Sequence, residues 1–441
     1  MFPVFDVNTA QGKAGYDAVL KRLKGTTNLS GDAAKAVIEV LADVEHHGDT
    51  GVVKYMQKWT DPNFDAARIK VAESELEAAY NTMDSEIKAA LQASINHVMA
   101  YQKHCCPKDL DTIEIDGAEL GMRFTPVDSV GCYVPGGMAV LFSTLIMTAV
   151  PAMAAGVPVE NISVVSPPPT RIGDEEAGDI SPLVLGTCWM LGIKQVYRIG
   201  GAQAIAALAY GTESVDKVEM IVGPGNMYVQ LAKAMVNGVT GTDNGFYGPS
   251  EIVTIADDTA RVACVAADLI AQAEHNPGKC FLVAWDQKVI DKIVAEVKAQ
   301  LSKRKRVEAI DRALETESCA VLVKDLDQAI GYANEIACEH LNLAISNADS
   351  VLPRIRHAGE IFIGDQTPVA AGDYYAGPSH TLPTGTTARF SSGISSFTFL
   401  KRTGTVCYKN GMSEQTIKNI AMLAEAEGLD GHADSVRVRR G

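Results

Sequence analysis

Val127-Asp-Ser-Val-Gly-Cys-Tyr-Val-Pro-Gly-Gly137 is the stretch that decides the fold. Residues 127–134 read as a buried strand, and Pro135-Gly136-Gly137 reads as a tight turn into the apolar helical run that follows. The pattern recurs downstream. Residues 161–166 form an apolar strand closed by three prolines. Residues 195–199 form a strand, Gly200-Gly201 a turn, and a helix runs through Ala209. Residues 217–222 form a strand, Gly223-Pro-Gly-Asn226 a turn, and a helix runs through Val236. From Glu251 the alternation resumes, with strands at 251–256, 280–285, 319–323, 341–346 and 359–363. The helices between them fall at 260–274, 287–303, 326–338 and 348–357. Strands alternating with helices imply mostly parallel sheets covered on both faces. The expected fold class is therefore α/β, with two doubly wound, Rossmann-like domains.

Working outward, residues 31–103 read as helical, with apolar spacing of three and four at 33–47 and 75–101. Residues 112–125 read as strands around Asp116-Gly117, a hairpin signal. After Pro368 the chain is rich in Gly, Ser and Thr to about 396, and a last helix at 414–427 precedes a polar tail. The expected organisation is an N-terminal arm at 1–28 and a first domain of 29–130 plus 250–392. A second domain spans 131–249, and a helical tail spans 393–441.

Composition narrows the function classes. At 441 residues the chain exceeds one core,. Its 47% hydrophobic and 21% charged residues are ordinary for a globular protein,. A net charge of -15 argues against nucleic-acid binding, and the basic tail Arg437, Arg439, Arg440 is short,. The first ten residues lack the basic start and long apolar run of a signal peptide. Residues 138–157 are apolar enough to suggest a membrane span. They contain Ser143, Thr144, Thr148 and Pro151 without flanking charges, so a buried helix is expected and no membrane association. Nine cysteines, odd in number and without C-x-x-C spacing, fit a reducing, cytoplasmic setting,.

Five features carry candidate chemistry. Three Gly-rich turns lie between a strand and a helix, where helix N-termini offer N–H groups to phosphates. None is G-x-G-x-x-G, and glycines that only close tight turns are the other reading. Gln272 and His275 are three apart on one helical face, with Pro277 ending the helix. An amide oxygen and an imidazole suit zinc, whereas a histidine bonding the last helical carbonyls is the plainer alternative. Glu339-His340 couples an acid to an imidazole that titrates near neutrality, or else caps a helix end. Asp373 and His380 share a Gly/Pro-rich loop that either bears ligands or is merely solvated. Glu427-Gly-Leu-Asp-Gly-His432, taken alone, is a helix end and a mobile tail.

In their order along the chain, these stretches resemble one family. Gly131–Gly137, 200–214, Gly223-Pro-Gly-Asn226, Gly248-Pro-Ser-Glu251, Ala271-Gln-Ala-Glu-His275, Glu339-His-Leu341 and Gly372-Asp-Tyr374 all resemble the histidinol dehydrogenases. So do Gly377-Pro-Ser-His380, Leu382-Pro-Thr384, Ala388-Arg-Phe390 and Phe399-Leu-Lys-Arg-Thr403. The resemblance covers essentially the whole chain. It implies one zinc ion per subunit, held by Gln272, His275, Asp373 and the partner subunit's His432. It thereby implies a homodimer in which the terminal extensions swap. His340 is implied as general base, with Glu339 helping to activate water. Ser250, Gln272, His275, His340, Asp373, His380, the partner's Glu427 and the partner's His432 are implied around the substrate. Tyr133, Gln203 and Asn226 are implied to contact NAD. The implied chemistry is a four-electron oxidation of L-histidinol, through bound L-histidinaldehyde, to L-histidine, the end of histidine biosynthesis. Two NAD each accept a hydride.

Three places depart from the family pattern: 243–247, 276–280 and Ser379, where Asn is common. They lie on the substrate side and leave open a second activity within the family, oxidation of another small alcohol such as a sulfonated propanediol. A sulfonate would require extra cationic or amide donors. Glu427 and His380 instead suit a cationic substrate. A non-enzymatic metal scaffold accords poorly with an intact Glu339-His340 pair.

Overall fold

The chain opens with β1 (Val4–Asp6) and α1 (Ala10–Lys24), followed by α2 (Asp32–Trp59), α3 (Glu73–Thr82) and α4 (Ser85–Cys105). This computed structural model describes residues 2–24, 31–136, 141–170, 178–243, 246, 248, 250–275 and 278–439. The hairpin comes next, as β2 (Leu110–Ile115) and β3 (Ala118–Pro126). Asp116 and Gly117 have φ of 50° and 75°, as the I′-type turn expected there requires,.

The first alternating region runs β4 (Val130–Tyr133), α5 (Phe142–Ala155), β5 (Ile162–Val165), α6 (Pro182–Leu191), β6 (Gln195–Tyr197), α7 (Gly201–Tyr210), β7 (Met220–Val222), α8 (Met227–Val236) and β8 (Gly241–Thr242). The second runs β9 (Glu251–Ala256), α9 (Val262–Ala273), β10 (Lys279–Ala284), α10 (Gln287–Leu301), α11 (Val307–Thr316), β11 (Cys319–Leu322), α12 (Leu326–Ile336), β12 (His340–Ala344), α13 (Ala348–Val351), β13 (Glu360–Ile363) and α14 (Val369–Tyr374). The chain ends with β14 (Leu400–Cys407), α15 (Glu414–Ala426) and α16 (Asp430–Arg437).

Two parallel sheets result. One has the order β6-β5-β4-β7-β8, and the other β1-β11-β10-β9-β12-β13. Counted by appearance, each alternating region lays its strands third, second, first, fourth, fifth. The order therefore reverses between β4 and β7 and again between β9 and β12,. Strands such as β4, β5, β9, β10 and β12 are buried along their whole length. Coverage of both faces explains why they read as unbroken apolar runs. The expected doubly wound α/β class is what the chain adopts.

The N-terminal arm is part of the second sheet: β1 pairs parallel with β11, and α1 packs beside α12 on one face. Helices α9, α10 and α11 cover the other face. Around the five-stranded sheet, α2 joins α7 and α8 on one face, and α3 and α4 join α5 and α6 on the other. Residues 32–105, expected to share a domain with 250–392, thus pack on the five-stranded sheet instead. Helical periodicity shows that a face is buried without naming the surface that buries it.

β14, α11 and α16 are among the elements that went unforeseen, as are β1, α1, α6, β8 and α14. β14 pairs antiparallel with β3 along its length to build a small third sheet. Its residues beyond Leu400 are exposed, so no apolar alternation marks it. α11 and α16 are short and mostly polar. The apolar run predicted as a buried helix is one, α5, and among the described residues no helix is long and apolar enough to cross a membrane. All nine cysteines are free thiols.

At the first switch point, Gly223 leads from β7 toward α8 with φ 117°, and a Cβ there would lie 2.3 Å from the Tyr133 carbonyl oxygen. Its N–H donates to Asp243 Oδ2 at 2.8 Å, and its carbonyl accepts from Lys233 Nζ at 2.9 Å. Gly223→Ala is expected to cost about 2 kcal/mol or more in stability. A lowered urea midpoint at unchanged m-value would show it.

Candidate active site

Glu251 and His340 are the first residues of β9 and β12, neighbours at the second switch point. The Glu251 N–H donates to Glu339 Oε2 at 2.8 Å, and the Glu251 carbonyl lies 3.1 Å from His340 Nδ1. Ala337, with φ 49°, ends α12 in the left-handed region and turns the chain into Cys338 and Glu339. Glu339 and His340 are both buried. Glu339 Oε2 is 3.5 Å from His340 Nδ1, and Asp373 Oδ1 is 3.6 Å from His340 Nε2.

Burial pushes the acids here upward: Glu339 to about 7, Glu251 to about 8 and Glu360 to about 7,. For His340, burial works downward, but the Glu339 and Asp373 carboxylates outweigh it and raise the imidazole to about 9. The Asp373 acid is lowered. Burial opposes that shift, and the His340 imidazole overcomes it. Burial lowers His275 and His380.

Asp373 sits near the end of α14. Its carbonyl lies 2.8 Å from His380 Nδ1, and Thr144 Oγ1 of α5 lies 3.3 Å from His380 Nε2. Gln272 is in the last turn of α9, 1% exposed, and His275 follows the helix. A cavity of about 640 Å³ joins these groups to the Gly-rich turns. His275, Glu339, Asp373 and His380 line one part, with Ser250 beside them; Tyr133 and Asn226 line another. Asn226 also caps α8, its Oδ1 accepting from the Tyr228 and Val229 N–H groups at 3.0 and 3.2 Å. Tyr133 Oη accepts from the Gly201 N–H at 3.1 Å. The cavity thus spans the carboxyl ends of β4 and β7 and the amino ends of β9 and β12.

Gln203 is buried on α7, its Nε2 directed at Met56 Sδ at 3.5 Å, and it does not line the cavity. Glu427 and His432 are exposed in the hairpin formed by α15 and α16, which packs through Ala421, Ala424 and Ala433. Neither lines the cavity of its own chain. Residues 137, 244, 245, 247, 276 and 277, including the helix-ending Pro277, lie outside the described residues.

A metal fits the donor set in part. Among the described residues no three His, Cys, Asp or Glu side chains converge as a metal cage. The proposed set draws only His275 and Asp373 of those types from one chain, with Gln272 as a third donor. Gln272 Nε2 and His340 Nε2 are buried without hydrogen-bond partners, the mark of polar groups kept for a ligand,.

Sequence reading missed Glu360 and Arg306. Glu360 begins β13 as the register partner of His340, and its Oε2 is buried without a partner. A Cβ at Gly372 would lie 2.8 Å from that oxygen. A single acid inside a predicted strand was the only available signal. Arg306, on the cavity wall between α10 and α11, carried none.

The histidinol dehydrogenase family model matches residues 23–440. The chain belongs to the histidinol dehydrogenase family. "Histidinol dehydrogenase 2" of Trichormus variabilis is 43% identical over 404 residues, 91% of each chain. The Desulfotalea psychrophila histidinol dehydrogenase is 38% identical over 439 residues, 98% of each. The crystal structure of histidinol dehydrogenase from Elizabethkingia anophelis superposes with a TM-score of 0.88 at 32% identity, covering 99% of this chain and 98% of that one. The histidinol dehydrogenases are oxidoreductases, and this chain shares their fold over its whole length.

Glu251 links the site to pH. Folded, its acid keeps a proton to about pH 8; unfolded, it loses that proton near 4.5. The folded state therefore holds the extra proton across that window. This stabilisation is full below 4.5 and is lost as pH rises through 8,. Glu251→Gln is expected to flatten the fall in unfolding free energy between about pH 4.5 and 8, by roughly 1 kcal/mol per pH unit,. Urea titrations across that range would measure it.

Proposed function

We propose that this chain oxidises L-histidinol to L-histidine in two successive NAD-dependent steps, through an aldehyde that stays bound. The observation that carries the reading is a buried His340 held between Glu339 and Asp373, two carboxylates that line a cavity reaching the Tyr133 and Asn226 turns. His340 Nδ1 faces a carbonyl, which assigns its proton to that nitrogen and leaves Nε2 as the acceptor,. Nε2 takes the proton of the substrate hydroxyl, and in the second step that of water oriented by Glu339. A cationic amino alcohol against Asp373 offsets the carboxylate field that raises His340, and so restores its free base.

Zinc held by Gln272, His275, Asp373 and the partner's His432 supplies a Lewis acid that orients the substrate nitrogens. NAD at the Tyr133, Gln203 and Asn226 end supplies the hydride acceptor. Ser250, His380 and the partner's Glu427 complete the substrate surroundings. The exposed tail of one protomer would thus finish the site of its partner in a homodimer, and the nine free thiols suit the cytoplasm,.

Arg306 supports a second reading, an anionic substrate such as a sulfonated propanediol, because it is a cation on the cavity wall,. The acidic side chains Glu339 and Asp373 line the same cavity and favour the cationic alcohol. Steady-state assays with both alcohols separate the readings. Two NADH per histidine is the expected result, and turnover of the sulfonate alone would reject the first.

His340→Gln is expected to lower kcat by about 10²–10⁴-fold with folding intact. Wild-type turnover in that variant would remove the base assignment. Mixing His340→Gln with His432→Ala subunits should restore activity that neither variant has alone. Persistent inactivity in proven mixed dimers would show that the tail does not act in trans.

A further inference from the structure

Asp268 lies one helical turn before Gln272 on α9 and is 8% exposed. Its carboxylate reaches two other elements. Oδ2 accepts from Asn342 Nδ2 at 3.1 Å, and the backbone of Val369 lies close enough to favour the charged carboxylate against its burial. Asn342 stands two residues beyond His340 on β12, on the same face of the sheet,. Val369 is the first residue of α14, whose N-cap is Pro368 and has no side-chain cap of its own. A carboxylate thus lies beside N–H groups that the helix start leaves open,.

One buried acid on α9 thus bonds β12 and lies beside the start of α14, where the three elements that carry Gln272, His340 and Asp373 meet, drawn from segments about 100 residues apart at their extremes. The surroundings are apolar, with Leu269, Phe362 and Val369 in one buried cluster. Burial raises its acid to about 6, so the carboxylate is held there at a cost that an apolar residue would avoid,. Asn342 Oδ1, on the same contact, is buried without a partner.

We propose that Asp268 is a positioning residue that sets the spacing of Gln272, His340 and Asp373, and through it the metal affinity of the site, without touching substrate or cofactor. The inference rests on the zinc assignment above. Outer partners of metal ligands are worth about 10–100-fold in affinity.

The test uses the full-length protein and zinc alone, with affinity measured by competition against a chromogenic chelator and thermal midpoints measured in parallel. Asp268→Leu is expected to weaken zinc binding about 10–100-fold. Asp268→Asn is expected to stay near wild type, because an asparagine keeps an acceptor beside the Val369 backbone and can donate to the unpartnered Asn342 Oδ1. If Asp268→Leu does not fold, Asn342→Leu, which removes the bond to β12 alone, is expected to weaken zinc binding in the same direction. A variant with a lowered thermal midpoint but unchanged zinc affinity makes Asp268 merely structural and overturns the proposal. A wild-type protein that binds no zinc defeats the zinc assignment, and this inference with it.

Discussion

One peptide unit at the start of β9 organises the catalytic end of this molecule. The Glu251 N–H holds the Glu339 carboxylate, and the carbonyl of the same residue faces the His340 imidazole. The Glu251 side chain meanwhile accepts the Gly385 N–H at 2.9 Å, tying in the loop after His380. Acid, base and loop are therefore aligned by the register of β9 on β12. A slip of one residue would turn His340 to the opposite face of the sheet. The buried apolar clusters on both faces forbid that slip, because it would carry every core side chain of the strand with it.

The two sheets share one strand order yet use opposite edges. The five-stranded sheet offers its carboxyl edge, where glycine permits close approach and the buried Lys233–Asp243 ion pair brackets the Gly223 turn. The six-stranded sheet offers its amino edge, where carboxylates gather around one imidazole. Burial raises the acids Glu251, Glu339 and Glu360, whereas for His340 the neighbouring carboxylates outweigh burial and raise the imidazole,. Separating the turn-bearing edge from the proton-handling edge lets each sheet be optimised for one task.

Much of this was legible before any coordinates. Unbroken apolar runs between glycine turns announced parallel strands, and Asp116-Gly117 announced the hairpin. The motifs named His275, Glu339, His340, Asp373 and His380; four of them line one part of the cavity, and His340 is buried against Glu339 and Asp373. What stayed hidden was relational. Glu360 matters because of register with His340, and no local pattern encodes register between strands twenty residues apart in the chain. The destination of α2, α3 and α4 was hidden for the same reason, since an apolar stripe does not name its partner. β14 was invisible because its exposed residues carry no alternation, and its ladder with β3 rests on backbone bonds.

The pairing of β1 with β11 has a consequence for biosynthesis. Val4 meets Ala320, so β1 has no partner until more than three hundred further residues have been made. At roughly 5–20 residues per second, that wait lasts some tens of seconds. The intervening five-stranded unit is contiguous from Val130 to Thr242 and is synthesised whole in the meantime. Translation therefore completes the five-stranded sheet before the six-stranded sheet can close on β1.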